Sequence, residues 1–188
     1  FETYAPGDDL HARGGWEIWC DGGADAMIVP APALSPPNAL AIFGSPINSD
    51  IVKPFGMDGG RWTLTMQKFV PGGAGGAGYV ILLNQYCDPH NWSMQLAFDE
   101  PAGVVRSDGD DSTLPLALDR WVELIVEIDL ARDRFSIFYD GQVLAEELVW
   151  TENVSGRLGD PGITSIGALD LYAEDISEMY FDDISLMR

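Results

Sequence analysis

Lysine is almost missing from this chain: Lys53 and Lys68 are the only two in 188 residues. Ten basic residues stand against thirty acidic ones, for a formal net charge of −20. A surface so poor in cations repels phosphate backbones, which excludes nucleic acid as an expected partner. Long apolar runs are missing too. Residues 79–83 are among the longest, so no segment is expected to insert in a membrane. Histidine is scarce, with only His11 and His90. There is no Gly-x-Ser-x-Gly, His-Glu-x-x-His or phosphate-binding loop, which removes the familiar nucleophilic, zinc and nucleotide chemistries. Apolar spacing at i, i+3, i+4 and i+7 is not sustained anywhere, so helices are not expected. Cysteine is limited to Cys20 and Cys87. The pair is open to three readings: a disulfide, two reduced thiols, or two unrelated buried residues. The absence of a metal-thiolate motif and an extracellular-looking composition favour the disulfide.

What the chain has is hydrophobic residues, at 46% of the total, and short alternating runs between turn clusters. This rules out a disordered acidic tail and suits one domain over residues 1–188 with a sizeable core. Period-two patterning predicts strands over 39–44, 50–55, 61–70, 79–87, 91–98, 104–107, 120–128, 134–140, 142–149, 163–172 and 179–186. Asp140-Gly141 between two of these is a two-residue hairpin signal. Many strands, no helices and frequent turns predict an all-β, two-sheet antiparallel sandwich. Alternation assigns Val122, Leu124, Val126 and Ile128 to the core, with Phe135, Ile137 and Tyr139. It also assigns Trp62 and Trp92 to apolar faces. Residues 79–83 are apolar on both faces, as a central strand would be. In the last strand Asp182 falls in phase with Ile184 and Leu186, a costly place for a carboxylate unless a cation or several donors meet it.

Residues suited to binding lie on the polar faces. Sugars are bound by aromatic rings against a pyranose and by planar polar side chains on its hydroxyls. Tyr86 follows Asn84 on one face, Gln95 lies with Asn91 and Ser93, and Tyr172 lies with Asp170. If these strands are neighbours, Asn84, Tyr86, Asn91, Gln95, Asp170 and Tyr172 line one groove. The competing reading is a buried polar network that stiffens the sheet. Trp16 and Trp19 either supply an exposed platform or lid the sandwich edge, and a Cys20–Cys87 bond would pin that loop beside Tyr86. His90 sits in a turn and reads as solvated. Asn91-Trp-Ser93 and Asn153-Val-Ser155 match the glycosylation sequon, a pattern frequent by chance.

Several segments together resemble a known pattern: Phe1-Glu2, Gly14-Gly-Trp16, Ala39-Leu-Ala-Ile, Trp62-Thr-Leu-Thr, Ile81-Leu-Leu-Asn-Gln-Tyr86, Asn91-Trp-Ser-Met-Gln-Leu96, Arg120 to Leu130, Ala168-Leu-Asp-Leu-Tyr172 and Tyr180-Phe-Asp-Asp-Ile-Ser-Leu186. The set is similar to the concanavalin A-like, laminin-G-like jelly rolls of secreted bacterial proteins, and to carbohydrate-binding modules among them. The resemblance covers nearly the whole chain. It implies a secreted, extracellular jelly roll, excised from a larger protein, that binds a polysaccharide without catalysis. It also implies a structural calcium held by acids near both ends, here Glu2 and Asp182, with carbonyls and water completing the shell. The alternative is that Asp182 caps backbone amides and Glu2 is solvated. Jelly-roll glucanases carry Glu-x-Asp-x-x-Glu along one strand. The comparable residues here are Glu127, Asp129 and Arg132, and an arginine cannot protonate a leaving oxygen. The other function classes are a structural or adhesive spacer and, further off, a glycoside hydrolase or polysaccharide lyase.

Overall fold

The computed structural model describes residues 1–20, 22–152 and 162–188. The sequon at Asn153 lies outside the described residues. Among those residues there is no helix. The strands are β1 (Glu17–Ile18), β2 (Met27–Val29), β3 (Ala39–Ile42), β4 (Asp50–Asp58), β5 (Arg61–Phe69), β6 (Ala77–Gln85), β7 (Asn91–Asp99), β8 (Val104–Ser107), β9 (Thr113–Pro115), β10 (Trp121–Asp129), β11 (Arg134–Tyr139), β12 (Gln142–Val149), β13 (Ser165–Ala173) and β14 (Met179–Met187). They form two seven-stranded antiparallel sheets, ordered β1-β4-β13-β6-β7-β8-β9 and β12-β11-β10-β5-β14-β3-β2. This is an all-β jelly-roll sandwich. The eleven strands expected from alternation are all present, with ends displaced by a few residues. The three not expected, β1, β2 and β9, are only two or three residues long, too short to carry a period.

Central position explains the apolar run at 79–83. β6 is the middle strand of the first sheet, with β13 and β7 as its neighbours. One of its faces gives Val80 and Leu82 to the sandwich core, and the other gives Ile81 and Leu83 to a second, smaller cluster. The second sheet alternates as expected, with Val122, Leu124, Val126 and Ile128 buried against Phe135, Ile137 and Tyr139. Burying each such side chain contributes about 1.5–3 kcal/mol. Asp140 and Gly141 both take positive φ (52° and 69°), and Tyr139 pairs with Gln142, so the hairpin is the tight one the dipeptide specifies.

Two assignments of faces are corrected by breaks in register. Pairing of β6 with β7 shifts on both sides of Leu83, so Trp92 lies opposite Leu83 and joins the second cluster, out of phase with Met94, Leu96 and Phe98. A bulge of this kind reverses the side-chain phase beyond it. Trp92 is therefore not a core residue but a half-buried one on the outer face of the first sheet. In β14 the pairing with β5 shifts between Asp182 and Ser185, and Asp183 takes φ 49°. Phe181 enters the core, and Ile184 and Leu186 pack against it from beyond the shift. Asp182 is thus out of phase with them. It is wholly buried beneath the loop between β2 and β3: its Oδ2 accepts from Leu34 N and Ser35 N, both at 2.9 Å, and its Oδ1 from Asp183 N at 3.0 Å.

Candidate functional site

The outer face of the first sheet carries the second cluster. Val52 on β4, Ala168 on β13, and Ile81 and Leu83 on β6 form its floor, and Trp19, Tyr79, Tyr86, Trp92 and Tyr172 pack on that floor. Register fixes the arrangement. Tyr172 lies between Asp50 and Tyr79, and Asp170 between Val52 and Ile81, which in turn faces Gln95 on β7. Adjacent antiparallel strands bring alternate residues of one face to within about 4.5–5.5 Å, so these side chains form one continuous surface.

Each end of this surface has an aromatic group. At one end Tyr79 and Tyr172 stack with centroids 5.9 Å apart. Their hydroxyls are held by neighbours: Tyr79 donates to Glu174 at 2.9 Å, and Asn48 Nδ2 donates to Tyr172 at 3.1 Å. At the other end rings run in series, Tyr86 to Trp19 (5.2 Å), Trp19 to His90 (5.5 Å) and His90 to Trp92 (5.9 Å). The disulfide between Cys20 and Cys87 joins the residues immediately after Trp19 and Tyr86. It therefore clamps the first ring pair in place.

Polar groups lie between the aromatic ends. Gln95 Nε2 donates to Asp108 at 2.5 Å, and Asp108 also meets Arg106 at 2.5 Å. Asp170 is 3% exposed, and its Oδ1 accepts no hydrogen bond; the same is true of Asp50 Oδ1. The buried indole Nε1 of Trp92 has no acceptor. Burial lifts the Asp50 carboxyl to about 6, against the lowering effect of a hydrogen bond with Asp170. Burial first, and then the charge of Asp50, hold Asp170 well above the usual carboxylate range. The two acids are diagonal neighbours, and a hydrogen bond joins them only while one keeps its proton. Tyr86 is raised by burial and then by Glu17 on β1, with Asp170 a further contributor.

Of the residues expected in one groove, Tyr86, Gln95, Asp170 and Tyr172 share this face, and Trp19 joins them. Asn84 and Asn91 do not. Asn84 is fully buried, donating to Ser93 Oγ at 2.8 Å and accepting from Ile163 N at 3.3 Å, so it ties β6 to β7 and to the approach to β13. Asn91 is buried at the start of β7, which also puts the first sequon's asparagine 3% exposed. Trp16 is a core residue at 7% exposure. Alternation missed Trp92, Tyr79, Asp50 and Glu17. Trp92 was hidden by the bulge, Tyr79 by the apolar run, and the acids by strands whose neighbours were unknown.

The remaining expected site residues lie elsewhere. Glu127, Asp129 and Arg132 border a shallow depression of about 360 Å³ on the second sheet, remote in the sheet order from the aromatic face. Asp129 pairs with Arg61 at 2.8 Å and Arg132 with Glu147 at 2.8 Å, while Glu127 is exposed. Carboxylate oxygens of Glu2, Asp182 and Asp183 lie within 4.8 Å of one another. Asp183, which also accepts from Ser35 Oγ at 2.8 Å, is an addition to the pair read from sequence.

No protein-family model matches the chain, and no curated protein matches it in sequence. Solved structures do match in fold. A domain of a sialidase aligns at TM-score 0.64 and 9% identity, over 96% of this chain and 18% of that one. The cellulose-induced protein Cip1 aligns at TM-score 0.61 and 13% identity, over 97% of both chains. The carbohydrate-binding module CBM66 from Bacillus subtilis aligns at TM-score 0.52 and 15% identity, over 100% of this chain and 99% of that one. The chain thus spans less than a fifth of the sialidase and essentially all of the two smaller proteins. At these identities the likeness is one of fold, and function has to be argued from the site.

Proposed function

We propose that the chain is a non-catalytic carbohydrate-binding module of a secreted protein, reading a polysaccharide on the outer face of β4, β13, β6 and β7. The observation that carries this reading is the aromatic surface itself. Trp19, Tyr86, Trp92, Tyr79 and Tyr172 are half-buried rings on a sheet face, and the indole nitrogen and carboxylate oxygens among them lack partners. A pyranose supplies apolar faces for such rings and hydroxyls for such acceptors and donors. Full-length likeness in fold to a carbohydrate-binding module and to Cip1 supports the reading. Partial likeness to sialidases suits an accessory module of a larger protein.

The glucanase-like acids do not compete with this. Arg132 occupies the position of the general acid and is committed to Glu147. Affinity electrophoresis through gels containing a panel of polysaccharides tests the proposal. Retardation by at least one polymer is expected, with Trp92→Ala and Trp19→Ala each weakening it at least about tenfold, as loss of a stacked ring would. Retardation by none would leave the spacer reading. Release of reducing ends from the same panel would make the chain an enzyme.

Calcium belongs to the same proposal as a structural ion. Oxygens bound to one Ca²⁺ at 2.3–2.6 Å stand up to about 5 Å apart, and the Glu2, Asp182 and Asp183 oxygens fit that spread. The amides on Asp182 leave one lone pair free, on Oδ1, so capping and coordination are compatible. Carbonyls and water would complete the shell.

A further inference from the structure

The acids of the aromatic face have no counter-charge. Asp50 and Asp170 are diagonal neighbours on one face of β4 and β13, and Glu17 on β1 lies across Val52 from Asp170, beside Tyr86. No ion pair among the described residues involves Glu17, Asp50 or Asp170. The charged groups around them are otherwise spoken for. Arg106 on β8 pairs with Asp108, Glu174 accepts from Tyr79, and His90 packs edge-on against Trp19. Lys53 on β4 donates to the Gly14 carbonyl, away from this face. A nearly buried carboxylate without a cation is expensive, and folded proteins seldom keep one without a use. Asp170, at 3% exposure, shares a proton with Asp50, so the pair still holds a negative charge that no cation meets, and Trp92 Nε1 on the same surface is an orphan.

We infer that Asp50, Asp170 and Glu17 form an anionic subsite for a protonated amine, so that the polysaccharide read on this face is an amino-sugar polymer with free amines. This rests on the carbohydrate-binding reading of the same face. A uronic or sulfated polymer would meet like charge. A neutral glucan would leave the acids uncompensated. An N-acetylated hexosamine has no charge to offer. An ammonium beside Asp50 and Asp170 compensates the charge of the pair and donates up to three hydrogen bonds. A metal ion fits less well: among the described residues, these acids do not gather three ligand oxygens within 4.8 Å, as Glu2, Asp182 and Asp183 do.

The test is titration calorimetry of the intact chain with glucosamine tetramer, its fully N-acetylated counterpart and a neutral glucose tetramer, at pH 7 and pH 4.5. At pH 7 the free-amine tetramer is expected to bind at least about tenfold tighter than either of the others, the size of one charge-assisted hydrogen bond. At pH 4.5, below the value near 6 for Asp50, the Asp50–Asp170 pair loses its charge and the preference falls away. Asp50→Asn and Glu17→Gln are expected to remove the preference at pH 7, with Glu17→Gln melting as wild type and Asp50→Asn melting no lower than wild type, because the raised Asp50 carboxyl disfavours the fold above its folded value. Equal binding of all three tetramers, lost in Trp92→Ala, would overturn the amine subsite and leave the aromatic face as a neutral-sugar site. Preference unchanged in Asp50→Asn would overturn the assignment to these acids. No binding of any sugar, in gels or calorimetry, would overturn both readings.

Discussion

Lys68 lies on β5 in phase with Leu64 and Met66, so alternation delivers its ammonium to the core. It is fully buried, its Nζ has no hydrogen-bond partner, and it sits against the faces of Phe98 at 4.1 Å and Tyr139 at 4.9 Å, with the Asp140 charge a smaller favourable contribution. Ring faces offset part of the lost hydration. Burial above all, with Arg120 adding to it, holds the amine well below the usual lysine range. Lys68→Met keeps the stem and removes the nitrogen, and is expected to stabilise the fold by about 1–3 kcal/mol at pH 7. The sign in pH follows. Between the folded value and the unfolded one near 10.4 the unfolded chain binds the extra proton, so wild-type stability rises with pH there. The gap between Lys68→Met and wild type should be widest near neutrality and close towards pH 10 in thermal melts. Asp170 behaves oppositely. Its folded value is raised, so its contribution is favourable below about pH 4 and is lost as pH rises through the folded value. Asp170→Asn should therefore melt higher than wild type at pH 8 and level with it near pH 4.

Breaks in two strands decide where chemistry can occur at the scale of elements. The shift in β6–β7 pairing turns Trp92 outward, and the shift in β14 sends Asp182 beneath the loop at Leu34 and Ser35. Asp182→Ala would orphan three partly buried backbone amides, at about 1 kcal/mol each, the low end for such groups. A fall in the denaturant midpoint equivalent to at least about 3 kcal/mol is expected, with the slope unchanged. The disulfide acts on two loops at once. Its 67-residue separation corresponds to roughly 4 kcal/mol in the chain-entropy account. Cys20→Ser with Cys87→Ser should lower the melting temperature and also weaken polysaccharide retardation, because Trp19 and Tyr86 lose their clamp. A stability loss with binding unchanged would show that the sheet alone places those rings.

For the whole molecule, a net charge of −20 opposes compaction through self-repulsion. Raising sodium chloride from low to moderate concentration should raise the melting temperature by screening. A calcium clasp predicts a separate effect. Glu2 lies at one end of the chain, while Asp182 and Asp183 lie on the last strand, so an ion there would join the two ends. A chelator at fixed ionic strength should lower the melting temperature, and calcium should restore it, because a ligand of the folded state alone stabilises that state. No change on chelation would mean that the amides on Asp182 suffice.

Alternation, turn dipeptides and the absence of helical spacing were enough to specify a two-sheet sandwich, because a half-buried strand writes its period directly into the chain. Eleven of the strands, the core faces of β10 and β11 and the hairpin at Asp140 were legible in that way. Part of the aromatic face was legible too: Gln95, Asp170 and Tyr172 stood on polar faces whose direction could be counted, while Tyr86 reaches the face out of phase with Tyr79, Ile81 and Leu83. Trp92 and Asp182 could not be placed, since a bulge inverts the count without a mark in the sequence. Asn84 and Asn91 were misplaced beside the same break. The approach of Asp50 to Asp170, and the place of Glu17 on the same face, were decided only by strand order. β13 inserts between β4 and β6 from more than eighty residues away, and no local pattern records which strands will be neighbours.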